Sequence, residues 1–258
     1  MMSNKSGFYL LLILVAFNFV SGQEQHKLFT GILQKYVRNG LVDYAGLKSG
    51  SILNGYMDFL NKTDPDSISG RNEKLAFWIN AYNAFTLKVI TDHYPVKSIN
   101  DLHTGGRYLS HVFGTTIWHK KIFKINGKEI SLNTIEHEII RKEFCEPGIH
   151  FALVCAAVSC PPLRNEAYEG FKLAKQLNDQ AKIFFNDSSK NKFDMKTRTA
   201  WLSKIMDWYD DDFGNSNEEI LLYISKFLPA KLAQDIRDNT PEWEINYFPY
   251  NWDLNDIN

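Results

Sequence analysis

An excess of charge of either sign is missing from this chain. Its 29 lysines and arginines and 30 aspartates and glutamates are interspersed and leave a formal net charge of −1. With no basic patch or stripe there is no electrostatic footprint for nucleic acid or an anionic membrane, and both partners are set aside. Cysteine is scarce, with three in 258 residues, and no two stand in the C-x-x-C spacing of thioredoxin-like chemistry. Cys155 and Cys160 are spaced C-x4-C, which is not the usual finger spacing, so no metal is assigned and no cofactor is called for. There is no internal repeat, low-complexity segment or linker-like stretch, which excludes a solenoid or a string of modules. At 44% hydrophobic and 23% charged, the composition excludes a disordered or fibrous chain.

What is present begins with a targeting pattern. Lys5 supplies a positive start, Phe8 to Phe19 an apolar run, and Val20-Ser21-Gly22 a small-residue cleavage site before Gln23. The run is too short to span a bilayer comfortably, where about 20 residues are needed. A signal peptide over 1–22 is expected, cleaved near Gly22. The mature protein, 23–258, is then exported to the periplasm or beyond the cell, with no membrane attachment. Removal takes one lysine and no acid, shifting the net charge to −2. Outside the reducing cytosol, two thiols within reach of each other tend to oxidise.

Periodicity organises the rest. Residues 24–38 and 52–60 carry apolar positions at helical spacing, the first run ending before Asn39-Gly40. The longest helix is expected over Asn72–His93, halted by Tyr94-Pro95, with apolar side chains around well over half its circumference. Asn80 and Asn83 fall in or beside that arc, where an unsatisfied carboxamide costs about 1–3 kcal/mol. Either they pin backbone groups or they touch a ligand. Residues 96–116 read as a surface loop with His103, Gly105-Gly106, Arg107 and His111. Asn126-Gly127 marks a hairpin with a type I′ turn. Ser131 caps a helix to about Phe144, on whose apolar face Glu136 sits between Ile139 and Ile140 beside His137 and Arg141. A buried acid there needs a partner. Further helices are expected over 173–185, 203–209 and 218–238, and a second hairpin over 192–202. The whole reads as an α+β fold, a predominantly helical single domain around a small β-sheet with a central buried helix.

The chemistry concentrates in IHFALVCAAVSCPPLR, residues 149–164. Its uncharged run, stopped by Cys160-Pro161-Pro162, reads as a buried strand. Alternation along a strand would put His150 and Cys155 on opposite faces and leave Cys160 in the following loop. Three uses of the cysteines compete. A Cys155–Cys160 disulfide suits export. A nucleophilic Cys160 or Cys155, with His137 or His150 as base and Asn80 or Glu136 orienting it, would make a thiol-dependent hydrolase or acyl transferase. Metal ligation together with His137 or His150 is chemically allowed, though the spacing does not favour it. Cys145 is the spare thiol.

The blocks LAFWINAYNAFTLKVITDHYPVKSI (75–99), ISLNTIEHEIIR (130–141), IHFALVCAAVSCPPLR (149–164), LSKIMDWYDDDF (202–213) and FPYNWDLND (248–256) strongly resemble the family known as domain of unknown function 547. VDYAGLK (42–48) fits it too. The resemblance covers nearly all of the mature chain, and Asn80, Tyr82, Asn83, Glu136, His137, His150, Cys155, Cys160, Pro161 and Trp208 stand at positions typical of it. It implies no established activity and no agreed catalytic residues. Its bacterial members look like exported single-domain proteins; plant members join a similar domain to other modules. By fold-level analogy a papain-like or transglutaminase-like site would combine thiol, imidazole, carboxylate and carboxamide in this way. The rival is a non-catalytic binding module for a small molecule or peptide, stapled by the Cys155–Cys160 bond. Convergence of these groups on an open cleft favours the enzyme, and a sealed network favours the module. Nothing in the chain sets an oligomeric state.

Overall fold

A computed structural model describes residues 26–102 and 116–258. The targeting segment expected over 1–22, and His103, Gly105, Gly106, Arg107 and His111 of the expected loop, lie outside the described residues.

Helix α1 (26–36) buries Phe29, Ile32, Leu33 and Tyr36 along one face. Asn39-Gly40 does not merely end it. Both residues take positive φ, 53° and 82°, and turn the chain through a two-residue hairpin of β1 (Val37–Arg38) and β2 (Leu41–Val42). Helix α2 (Tyr44–Ser49) follows, its first turn capped by the Asp43 carboxylate accepting from the Gly46 N–H at 2.7 Å. Helix α3 (Ile52–Lys62) docks through Leu53, Tyr56 and Leu60.

Helix α4 (Arg71–His93) is the axis of the fold, buried from Leu75 to Leu87 without interruption. An all-round apolar helix is stable only when other elements enclose it, and here α2, α3 and the elements described next do so. Both asparagines pin backbone, and Asn80 Nδ2 also lies 3.2 Å from His26 Nδ1. Asn80 donates to the Tyr168 carbonyl and accepts from its N–H, each at 2.8 Å. Asn83 donates to the Ala152 carbonyl at 2.9 Å and accepts from the Val154 N–H at 3.0 Å.

Strands β3 (Phe123–Ile125) and β4 (Lys128–Ile130) form the expected hairpin, with Asn126 and Gly127 at positive φ. The next helix, α5 (Thr134–Phe144), is wound as a π-helix rather than the expected α-helix. Its fully buried isoleucines, Ile135 and Ile140, stand five residues apart, the repeat of i→i+5 bonding, whereas Ile139 is only half-buried.

The apolar run after it is not a strand. Pro147 starts a 3₁₀ turn (Pro147–Phe151), capped by the Glu146 carboxylate accepting from the Gly148 N–H at 3.0 Å. Residues 152–160 then continue as irregular chain. The run is apolar because it is enclosed, and Asn83 supplies the hydrogen bonds that a neighbouring strand would otherwise supply. Side-chain alternation therefore does not apply to His150 and Cys155.

Helix α6 (Leu173–Phe185) leads to β5 (Lys192–Asp194) and β6 (Thr199–Leu202), then α7 (Ile205–Trp208) and α8 (Asp210–Phe213). The continuous helix expected over 218–238 is two, α9 (Asn217–Ser225) and α10 (Ala230–Asp238), because Pro229 lacks the N–H that would continue the first. Strand β7 (Glu244–Tyr247) pairs parallel with β6, which pairs antiparallel with β5. Instead of one small sheet there are thus, among the described residues, three, of two, two and three strands. The class is α+β. The C-terminal tail crosses back over the turn after the apolar run, with Val158 N–H on the Asp253 carbonyl and Leu254 bridging to Ala157.

Candidate functional site

A cavity of about 440 Å³ lies between α4, α5, the 147–160 segment, α7 and the C-terminal tail. Its lining includes Glu136, His137, His150, Cys155 and Cys160, five of the six residues that the sequence pattern singled out. Asn80, the sixth, does not line it and is fully buried against the Tyr168 backbone. The cavity reaches solvent, since Trp208 in its wall is 44% exposed.

Glu136 points from the first turn of α5 between two tyrosines. Tyr82 of α4 donates its hydroxyl to one carboxylate oxygen at 2.9 Å, and Tyr209, at the junction of α7 and α8, donates to the other at 2.7 Å. Burial, reinforced by the Glu136 charge, pushes both phenols well above the ordinary tyrosine range, so they act as neutral donors. Among the described residues no cation stands within ion-pair distance of Glu136.

Beside this triplet runs a second network. Arg141, one turn after His137, holds Asp212 of α8 with two hydrogen bonds, Nε to Oδ2 at 2.6 Å and Nη2 to Oδ1 at 3.0 Å. His150 shares Oδ2 through Nε2, also at 2.6 Å, and its ring stacks on Tyr209 with centroids 4.1 Å apart. Burial alone would raise the Asp212 carboxyl, but the hydrogen bonds from His150 and Arg141 outweigh it and hold it well below the usual carboxylate range. Arg141 also donates to His137 Nδ1 at 3.1 Å. An acceptor at Nδ1 requires the neutral imidazole with its proton on Nε2.

Both cysteines line the same cavity. Cys155 and Cys160 are bonded to each other, Sγ to Sγ 1.96 Å with Cα atoms 6.1 Å apart, and Ala156 turns the loop between them at φ 62°. The Tyr250 hydroxyl lies 3.1 Å from Cys155 Sγ and 3.3 Å from Cys160 Sγ. Tyr250 packs in tilted contact with Trp208 and Trp252 at centroid distances of 4.7 and 4.6 Å, forming an aromatic wall. Cys145 is exposed and free, the left-handed cap of α5. Among the described residues, no group of three or more histidine, cysteine, aspartate or glutamate side chains is placed to hold a metal ion.

The sequence pattern did not single out Tyr209, Asp212, Tyr250 or Trp252. Asp212 stands third in an acidic run, Asp210-Asp211-Asp212, which reads as a solvated helix start. Only the return of α8 against α5 separates it from its exposed neighbours.

The family model described as "Protein of unknown function, DUF547" matches residues 65–185, so this part of the chain belongs to that family. No curated protein and no solved structure matches the chain. The match takes in Tyr82, Glu136, His137, His150 and both bonded cysteines; Tyr209, Asp212, Tyr250 and Trp252 come from outside it.

Proposed function

We propose that this DUF547-family domain is a non-catalytic binding module, exported to an oxidising compartment, whose cavity holds a small-molecule ligand. The observation that carries the reading is the bond between Cys155 and Cys160. Both candidate nucleophiles are consumed in it, and a disulfide sulfur cannot supply the thiolate that attack on a carbonyl requires. The remaining groups lining the pocket hold one another in place: Glu136 by two tyrosines, His137 by Arg141 and His150 by Asp212. A pocket of about 440 Å³ with aromatic walls and a few fixed polar groups is typical of small-ligand sites.

Intact-mass alkylation of the full purified chain tests this. Without reductant one thiol, Cys145, is labelled, and after reduction three are. Three labelled thiols without reductant would remove the basis for the module.

One observation favours a second reading. Both sulfurs line the same cavity as His137 and His150, so reduction would release a thiol among imidazoles, the setting of a thiol-dependent hydrolase or acyl transferase. In that case the reduced protein hydrolyses an activated ester with a burst that Cys160→Ser or Cys155→Ser abolishes. The oxidised protein shows none.

A further inference from the structure

Among the described residues, Glu136 is the one acidic side chain in the cavity lining, and no lysine or arginine lines it. Among the described residues its carboxylate has two hydrogen bonds, both from neutral phenols. Arg141, of its own helix, is engaged by Asp212 through two hydrogen bonds, and His150, in the cavity lining, is turned to the same carboxylate at 2.6 Å. Of the lining imidazoles, His137 accepts from Arg141 and is therefore neutral, and His119 Nδ1 is paired with the Thr116 hydroxyl at 2.7 Å. A carboxylate partly withdrawn from water, as Glu136 is, gains from a positive charge beyond what neutral hydrogen bonds supply. A cation in the cavity would supply that charge.

The wall facing that space supplies the second element of recognition. Trp208, Tyr250 and Trp252 pack on one another with centroid separations between 4.6 and 5.8 Å. Their ring faces carry the negative end of the quadrupole and attract cations within about 6 Å. Trp208 remains 44% exposed despite this packing, so part of the wall is open to a ligand. Carboxylate and aromatic faces, lining one cavity, select the same chemistry.

We infer that the cavity binds a small organic ammonium ion, its charge directed at Glu136 and its carbon substituents against Trp208, Tyr250 and Trp252. The inference rests on the binding-module reading above and adds the class of ligand. An anion would meet Glu136 with no lysine or arginine among the described lining residues to receive it, and a neutral ligand would leave the charge of Glu136 as it stands.

The test uses the full oxidised chain, with choline and tetramethylammonium as probes and 3,3-dimethylbutan-1-ol as the uncharged isostere of choline. Binding is read by tryptophan fluorescence and by titration calorimetry. Saturable binding of both cations is expected, with the alcohol at least tenfold weaker. Glu136→Gln weakens choline at least tenfold, and Trp208→Ala, at an exposed position, does so several-fold while melting with the parent. Equal binding of choline and the alcohol, undiminished binding by Glu136→Gln, or saturation by glucose instead of the cations would overturn the ligand class. Absence of binding by both cations would overturn it too. None of these results touches the binding-module reading, which stands or falls on the thiol count and on the ester assay.

Discussion

Asp212 shows how much one side chain contributes to this site. It accepts from Arg141 and His150 at once, and it is about a quarter exposed. Hydrogen bonds to a charged group are worth roughly 1.5–3 kcal/mol, so Asp212→Asn is expected to cost about 2 kcal/mol in chemical denaturation at pH 7. The sign with pH follows from its depressed ionisation. The stabilisation is fully present above the unfolded-state value, about 3.9, and is lost as pH falls through it toward the folded value. The gap between parent and variant therefore narrows from about pH 5 downward, and a gap that widened in acid would refute the assignment. At this scale the sequence was legible where a side chain's need is local. Asn80 and Asn83 are polar groups on an apolar arc, and both pin backbone, one of the two uses such a position allows. Asp212 was not legible, because an acid in an acidic run has no local reason to differ from its neighbours.

Elements were legible in proportion to their length. Helix α4 runs over 71–93 against the expected 72–93, and the Asn126-Gly127 hairpin stands where its turn residues put it. Short elements were not. Asn39-Gly40 carries the same hairpin signal, yet it follows an amphipathic helix and reads as its stop. Gly40 can be tested against Gly127. Both have positive φ, but a Cβ at Gly40 would lie 2.4 Å from Pro162 Cβ, whereas one at Gly127 meets nothing within 4 Å. Gly127→Ala should cost about 1–2 kcal/mol for the left-handed backbone alone. Gly40→Ala should cost about 1–3 kcal/mol more for the clash, and equal losses would show that the contact with Pro162 is loose. The run from His150 to Ala157 failed as a strand for a general reason. Uninterrupted apolar residues report enclosure, and a chain whose backbone is satisfied by a buried asparagine needs no sheet to be enclosed.

For the molecule as a whole, two apolar clusters must be held together for the cavity to exist. One gathers around α4, the other around α6, β6, α9 and α10, and Tyr250 packs against both. Phe151 belongs to the second cluster although its chain neighbours Ile149 and Ala152 belong to the first. Its ring meets Phe184, Phe185 and Phe213 at 4.9–5.7 Å. Phe151→Ala should cost about 3–5 kcal/mol, with tryptophan fluorescence and far-UV circular dichroism still tracing one transition. Two separated transitions would mean that the clusters fold independently. By itself the sequence determined the class of fold, the central helix, the family and five of the residues around the cavity, because those depend on periodicity and on groups within single motifs. Tertiary structure decided the rest. It joined Cys155 to Cys160 and sealed Asn80 away from the cavity. It also supplied Tyr209, Asp212, Tyr250 and Trp252 from stretches far along the chain from α5 and the 3₁₀ turn, a pairing set by how helices pack and not by any local pattern.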